Sequence, residues 1–129
     1  MISKNISVVF QKKNVTDVLP QELDSAPNSF FTQLLVENGI LEQSDDKFLD
    51  KLISKVRIDG KIILKGVECI EVCRRVYYGE LDCNNEYFKN SKNFYSITKL
   101  KDIFSNNKWQ IDFVGIDNIN FDFEATRKS

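Results

Sequence analysis

The sequence predicts an α/β fold in which a partly parallel sheet carries helices and ends in an antiparallel hairpin. The first observation behind this prediction is the succession of strand, helix and strand patterns between residues 30 and 64. A helix between two strands is typical of a parallel pair. The second observation is the alternation of apolar and polar residues near the C-terminus, which is typical of antiparallel strands.

Length and charge restrict the class of protein. The chain has 129 residues, 42% of them hydrophobic, which predicts one domain over 1–129. The formal net charge is −1 and charges of both signs are mixed along the chain, so we expect no nucleic-acid and no membrane partner. The sequence contains neither an apolar run of about 20 residues nor the pattern of a signal peptide. We therefore expect a cytoplasmic protein.

Several common catalytic and cofactor motifs are missing. The chain has no histidine, which excludes Ser-His-Asp, Cys-His and HExxH constellations within one chain. Its five glycines stand singly, so neither GxGxxG nor GxxxxGK[ST] occurs. Cys69 and Cys73 lie four residues apart, but two further good zinc ligands are lacking. We predict no metal site, and we expect reduced, partly buried thiols.

Two strands are predicted in the first third of the chain. The first is residues 6–10, ISVVF, and the second is the apolar run FFTQLLV at residues 30–36, closed by Asn38-Gly39. The segment between them is rich in turn-forming residues and is predicted to be a connection.

A helix and a third strand follow. Ser44 before two aspartates resembles an N-cap, so a helix is predicted to begin there. Its apolar residues form one stripe that should face a core: Phe48, Leu49, Leu52, Ile53 and Val56. Asp59-Gly60 ends the helical pattern, and KIIL at residues 61–64 is predicted to be a buried strand.

Two more helices and a hairpin complete the pattern. The segment VECIEVCRRVYYG carries a stripe that should lie on a sheet face: Ile70, Cys73, Val76 and Tyr77. Residues 80–94 are predicted to be irregular, and Ser96 is predicted to cap a helix with its own stripe: Ile97, Leu100, Ile103 and Phe104. The hairpin turns at Asp117-Asn118. Its aromatic residues are predicted to be core, with an exposed interaction face as the alternative: Trp109, Phe113, Phe121 and Phe123.

With these elements in place, the chain resembles the C-terminal half of a class I S-adenosylmethionine-dependent methyltransferase. The matching segments are LLVENGILEQSDDKFLDKLISKVRIDGKIILKG, SITKLKDIFSNNKWQIDFVGI and FDFEATRK. In that family a strand ending near LE and a helix lead to a GG-strand and a final antiparallel hairpin. The resemblance covers residues 30–129 and implies a truncated Rossmann-like, methyltransferase-type sheet with helices packed on it. Residues 1–29 are then an atypical N-terminal strand and connection.

The departures from that family concern its cofactor. The glycine-rich loop and the ribose-binding acidic residue belong to an N-terminal half of several βα units, each of about 30 residues or more. This chain has room for one strand there. Gln43 stands where the family often has histidine, and Asp59 replaces the second glycine of its GG pair. The resemblance thus implies either no cofactor or S-adenosylmethionine in a rebuilt pocket.

Candidate site residues lie after the two parallel strands, at the end where such sheets bind ligands. They are Glu37, Asn38, Glu42, Gln43, Lys65 and Glu68. The resemblance makes Glu37 and Glu42 the candidate catalytic bases and the other four the candidate cofactor-binding residues. The alternative is turn and cap chemistry, or a solvated helix start. A cluster of long side chains on the third helix could meet an anionic or planar ligand, or could snorkel around its stripe: Arg74, Arg75, Tyr77 and Tyr78.

Three functions fit the sequence. The preferred one is a degenerate methyltransferase-like module without catalysis, used for binding or assembly. The second is an active methyltransferase or other small-molecule enzyme whose pocket is completed by oligomerisation. The third is a BTB-like oligomerisation domain, which NSFFTQLL and EVCRRVYYGELD resemble, although that family is expected to continue in helices instead of a hairpin. Because one N-terminal strand would leave a sheet edge open, we expect a homodimer or a protein partner covering that edge.

Overall fold

The computed structural model describes residues 6–10, 14–18, 28–36, 40–44 and 47–129. These residues form a mixed α/β fold around an open six-stranded sheet of order β2-β1-β3-β4-β6-β5. The elements are β1 (Ile6–Phe10), β2 (Asn14–Val18), β3 (Phe31–Val36), α1 (Ile40–Gln43), α2 (Phe48–Lys55), β4 (Val56–Val67), α3 (Cys69–Tyr77), α4 (Glu86–Asn90), α5 (Ile97–Ile103), β5 (Trp109–Asp117) and β6 (Asn120–Arg127).

The predicted strand–helix–strand unit is confirmed, with different boundaries. β3 and β4 are parallel, and α2 lies between them in sequence. α2 buries the predicted stripe but ends at Lys55, so Val56 is already the first residue of β4. Asp59 has a φ of 66° inside β4. A Cβ at Gly60 would lie 2.8 Å from the carbonyl oxygen of Arg57, so this pair marks an irregular point of the strand and not the end of the helix.

The predicted start of α2 is wrong. Ser44 Oγ donates a hydrogen bond to the carbonyl of Ile40 at 2.6 Å, so Ser44 closes α1 instead of capping α2. α2 begins at Phe48, preceded by Lys47. A serine hydroxyl can bond back one turn as readily as forward, and the sequence pattern does not distinguish these roles. The two aspartates after Ser44 lie outside the described residues.

The N-terminal connection is also different from the prediction. β1 has the predicted bounds, but the supposed connection contains β2, which pairs antiparallel with β1. β1 pairs antiparallel with β3 on its other side. The segment NVTDV has three β-branched residues among five, a composition that favours a strand, but the turn formers around it concealed this signal. β1 is therefore an inner strand, and β2 is the edge strand on this side of the sheet.

The C-terminal hairpin is confirmed. β6 lies between β4 and β5 and is antiparallel to both, and Asn118 turns the chain with a φ of 61°. Phe121, Phe123 and Ala125 are buried as the alternation predicts. Phe113 is 48% exposed, against the prediction, because the β5–β6 register shifts between Ile111 and Phe113 and turns this ring off the core face.

Helix α5 follows the prediction. Ser96 Oγ accepts a hydrogen bond from the amide of Lys99 at 3.0 Å, and Leu100 and Phe104 are buried. The stretch that was predicted to be irregular contains α4, whose N-cap Asn85 accepts from the amide of Phe88 at 3.1 Å.

Helix α3 does not bury the predicted stripe. Of its residues, all of which the structure describes, only Val72 is buried. The start of α3 is held beside the start of α5, where the amide of Cys69 donates to the carbonyl of Tyr95 at 2.9 Å. That attachment turns the Val72 side inward. Of the predicted stripe, Ile70, Cys73 and Tyr77 are exposed and Val76 is partly buried.

Candidate functional site

A cavity of about 510 Å³ opens at the carboxyl end of β4, beside the hairpin. Its described lining residues are Glu42, Lys65, Gly66, Val67, Phe113, Gly115, Ile116, Asp117, Asn120, Phe121 and Asp122. β4 is parallel to β3, so the cavity lies at the strand ends where open α/β sheets bind ligands. This is the edge that the sequence indicated for a site.

Glu42 forms a buried wall of this cavity. The residue lies in α1 and is 3% exposed, and its Oε1 accepts a hydrogen bond from the amide of Val67 at 2.8 Å. A Cβ on Gly66 would overlap Glu42 Oε1 and come within 3.0 Å of the Phe121 ring. Position 66 therefore requires glycine, and Glu42 joins α1 to the end of β4.

Glu68 lies next to the cavity in sequence but serves two helices. It is 4% exposed, and its Oε1 accepts from the amide of Ile70 at 2.7 Å while Oε2 accepts from the amide of Ile97 at 3.1 Å. These amides belong to the first turns of α3 and α5, where a negative charge is favourable. Glu68 thus ties two helix N-termini together, and it is not among the residues that line the cavity.

The remaining predicted site residues do not all lie at the cavity. Lys65 is exposed and lines the cavity together with Glu42. Gln43 is exposed and is not a lining residue. Glu37 and Asn38 lie outside the described residues. Of the six predicted residues, the structure brings Glu42 and Lys65 to one cavity.

Two carboxylates of the cavity were not singled out from the sequence as site residues. Asp122 lies on β6 and Asp117 ends β5, and Asp117 was noted only as part of a turn. Asp122 Oδ1 is buried and has no hydrogen-bond partner among the described residues. The signal for Asp122 was the alternation FDFEA, which places it on the face opposite the buried phenylalanines, but the alternation does not say that a cavity lies there.

A tyrosine and a cysteine, both partly buried, lie in the same part of the fold. Burial raises the pKa of Tyr87, and the nearby Cys69 and Glu42 raise it further. Burial also raises the pKa of Cys69, with a smaller contribution from Glu68. The Tyr87 hydroxyl is buried without a hydrogen-bond partner among the described residues. A raised pKa keeps both groups protonated near neutral pH, so neither is prepared to act as a base or a nucleophile.

The outer side of α3 is a separate exposed surface. The α3 stripe, which we define as Ile70, Cys73 and Tyr77, has Ile70 54% exposed, Tyr77 83% exposed and Cys73 exposed as well. Beside it, Arg74 donates two hydrogen bonds to Glu71, at 2.9 and 2.6 Å. This pair lowers the pKa of Glu71 and raises the pKa of Arg74. The stripe is thus an apolar strip flanked by charged side chains.

No helix in the described part of the chain is long and apolar enough to cross a membrane. The described residues also contain no cluster of three or more His, Cys, Asp or Glu side chains that could hold a metal ion. Comparison with known proteins matched no family model and found no significantly similar curated protein. The cavity and the α3 stripe are the surface features of the described residues that point to a function.

Proposed function

We propose that this protein is a non-catalytic assembly module that associates with a second copy of itself through the α3 stripe. The observation that carries the proposal is the exposure of Ile70 and Tyr77, 54% and 83%, at positions with helical spacing on one face. An apolar strip with charged flanks is typical of a protein–protein contact. The sequence pattern predicted that these residues would be core, and a protein partner would cover them.

Charge complementarity favours a second copy as the partner. α3 carries Glu71 in its first turn and Arg74 and Arg75 in its last turn. In an antiparallel contact around a two-fold axis, the acidic end of one helix meets the basic end of the other. Ile70 and Tyr77 are equally distant from the point between Cys73 and Arg74, so Ile70 would face Tyr77 of the second copy. One stripe thereby covers the other.

The buried carboxylates support a role without catalysis. Glu42 and Glu68 are the described acidic residues with less than 5% exposure, and both accept hydrogen bonds from backbone amides. A carboxylate oxygen that accepts a hydrogen bond from a backbone amide in the folded chain is engaged in holding the fold together. These acids join elements of the fold.

The order of elements supports the proposal of a methyltransferase-like half-sheet. A parallel β3–α2–β4 unit is followed by helices and an antiparallel hairpin, which is the order on which the resemblance depends. The N-terminal hairpin β1–β2 takes the place of the family's cofactor half, and β1 runs antiparallel to β3. This arrangement fits a module that has lost its cofactor loop.

A second candidate is the BTB-like oligomerisation domain, which also assembles. It is favoured by the segment EVCRRVYYGELD, which forms most of α3 and its C-terminal turn, with Gly79 at a φ of 76°. The hairpin β5–β6 favours the methyltransferase-like alternative. Titration with S-adenosylmethionine distinguishes both non-catalytic candidates from an active methyltransferase. Micromolar binding would indicate a rebuilt cofactor pocket and would favour the enzyme.

Sedimentation velocity tests the assembly proposal. As the protein concentration rises from about 10 to about 300 µM, the equilibrium should shift from monomer towards dimer, as expected for a small contact. The double variant Ile70→Ser/Tyr77→Ser should stay monomeric, whereas Ile58→Ser, which alters an exposed isoleucine on β4, should dimerise as the wild type does. A wild-type chain that is monomeric at every concentration would contradict the proposal.

A further inference from the structure

We propose that β5 is a docking strand, to which another protein adds an extended segment of alternating apolar and basic residues. The surface is independent of the assembly contact, because it uses no residue of α3. Three features carry the inference. They are an edge with unpaired backbone groups, an apolar row that reaches this edge on one face of the sheet, and an acidic surface on the other face.

β5 is the last strand of the sheet, so one of its sides is open. It pairs with β6 alone among the described strands. Every second residue of an antiparallel strand directs its backbone N–H and C=O groups away from the partner strand, and at an edge these groups are a template for a further strand. The sequence WQIDFVGID contains neither proline nor lysine, which commonly protect such edges. Its register shift lies between Ile111 and Phe113, so residues 113–117 pair regularly and can receive a strand.

One face of the hairpin carries an apolar row that reaches this edge. Ile116 opposes Phe121 and Val114 opposes Phe123, and both phenylalanines are buried. Val114 packs against the core, whereas Ile116 is 50% exposed. A strand beside β5 would place every second side chain next to these two residues. Apolar side chains at those positions would extend the core and cover Ile116.

The other face of the hairpin is acidic. Phe113, Gly115 and Asp117 alternate with the apolar row and therefore lie on this face, together with the β6 residues that they oppose. The charged side chains that the two strands place there are all carboxylates: Asp112, Asp117, Asp122 and Glu124. Lys65 of β4 opposes Asp122 but lies two strands in from the edge. Charge complementarity therefore favours basic side chains of a partner on this face.

The two faces together determine the sequence pattern of the partner. Successive side chains of a strand point to opposite faces, so a segment beside β5 would alternate between the apolar row and the acidic face. Its apolar residues would pack with Val114 and Ile116, and its basic residues would lie near Asp117. A segment with acidic residues in their place would be repelled.

The space beside β5 is open on both faces. The cavity at the carboxyl end of β4 is lined by Ile116 from the apolar row and by Phe113, Gly115 and Asp117 from the acidic face. Gly115 has no side chain, and a Cβ there would come 3.0 Å from the Phe113 ring, so that ring lies beside the glycine. Phe113 is still 48% exposed. Both faces of β5 are thus accessible where an added strand would pack.

Fluorescence anisotropy of labelled peptides with the intact chain tests this inference. The probe is as long as β5, nine residues, and alternates lysine with valine. One control has the same residues in a non-alternating order, and the other has glutamate in place of lysine. The alternating probe should bind with a Kd of about 100 µM, and each control should bind at least about tenfold more weakly.

Methylation of the peptide backbone distinguishes strand addition from charge attraction alone. Two further probes carry N-methyl groups on the valine amides or on the lysine amides, which lie on opposite edges of the extended peptide. The probe whose methylated edge faces β5 should lose binding, and the other should keep it, because strand addition depends on main-chain hydrogen bonds. Equal binding of the two methylated probes would contradict strand addition.

A substitution at the edge locates the contact. Ile116→Lys introduces a charge into the apolar row and should weaken the alternating probe at least about tenfold. Ile58→Lys changes an isoleucine of β4 that is 52% exposed and lies outside the hairpin, and it should leave binding unchanged. Circular dichroism establishes that both variants are folded. If Ile116→Lys does not fold, the methylated probes provide the test on the wild-type chain.

Three other results would overturn the inference: no binding of the alternating probe up to about 1 mM, equal binding of the non-alternating control, or binding that survives Ile116→Lys. The α3 double variant should bind the probe as the wild type does. A failure of the assembly proposal is therefore distinguishable from a failure of this one.

Discussion

Helices α2 and α3 have similar sequence patterns and opposite environments. Both carry an apolar stripe at helical spacing, and the sequence predicted that both would face a core. α2 buries Phe48, Leu49 and Leu52. α3 buries Val72 alone of its residues, all of which the structure describes, and its stripe is largely exposed. An apolar stripe therefore indicates that a helix needs a partner surface, but not whether that surface belongs to the same chain.

The connections of the two helices explain the difference. α2 lies between two parallel strands, so the chain must cross back over the sheet and lays the helix on it. α3 also lies between two parallel strands, because β4 and β5 are both antiparallel to β6, but it shares this connection with α4 and α5. α5 contributes Leu100 to the core, whereas α3 lies at the start of the connection and buries Val72. Its start is fixed by the bonds of Glu68, and its outer side is left to solvent or to a partner.

The largest expected loss of stability is for a substitution in the core-facing stripe of α2. Leu52→Ala should lower the free energy of unfolding by about 3 kcal/mol, because Leu52 is fully buried and the shorter side chain leaves a cavity. Ile70→Ala on α3 is the matched control and should change stability of the monomer by less than about 0.5 kcal/mol. Urea denaturation at low protein concentration measures both values. Equal losses would mean that α3 is packed as α2 is.

A smaller loss is expected at the joint that holds α3. Glu68→Gln keeps one acceptor oxygen but turns an NH₂ group towards a helix amide, and it removes the negative charge from two helix N-termini. Stability should fall by about 2 kcal/mol in the same denaturation experiment. Glu80→Gln, which changes an exposed carboxylate just after α3, should leave stability unchanged. Unchanged stability in Glu68→Gln would contradict the explanation that the hydrogen bonds of Glu68 fix the orientation of α3.

The smallest change in stability is expected at Tyr87 and has the opposite sign. Tyr87→Phe should stabilise the fold by about 1 kcal/mol, because it deletes a buried hydroxyl that has no hydrogen-bond partner among the described residues. Tyr78→Phe, at a 67% exposed position, is the control and should have no effect. A loss of stability in Tyr87→Phe would show that the hydroxyl makes a favourable contact.

The same residue gives a pH dependence. The pKa of Tyr87 is raised above its ordinary value of 10.0 by burial. The unfolded chain therefore loses this proton first, and the contribution of Tyr87 to stability is present below about pH 10 and falls as the pH rises towards the folded pKa. Tyr87→Phe should make the alkaline fall in unfolding free energy less steep. Tyr78→Phe again serves as the control.

Local patterns predicted the elements that local periodicity determines. β1, β3, the cap at Ser96 and the hairpin were correct, because each depends on alternation or on a cap within a few residues. The side chain of Phe113 was placed wrongly, since a register shift in the pairing with β6 turned it outward. Long-range pairing of this kind is not contained in the pattern of one strand.

The sequence predicted where in the sheet the candidate site would lie, but not all of the residues that form it. The rule that ligands bind at the carboxyl ends of parallel strands pointed to Glu42 and Lys65, and both line the cavity, while their catalytic and cofactor-binding roles stay predictions. It did not indicate Asp122, which reaches the cavity from a strand more than fifty residues further along the chain. It also could not show that Glu68 caps two helices, because one of them begins at Ile97. Contacts between residues that are distant in sequence can be identified only once the fold is known.

Oxidative cross-linking through Cys73 is the most direct test of the α3 contact. Cys73 lies at the centre of the proposed antiparallel contact and is exposed, whereas Cys83 is exposed on the loop that follows α3. With copper phenanthroline as oxidant, the account predicts a disulfide-linked dimer that persists in Cys83→Ser and is lost in Cys73→Ser, because two thiols must approach closely to form the bond. A chain that remains monomeric, or a dimer linked through Cys83 instead, would contradict the account.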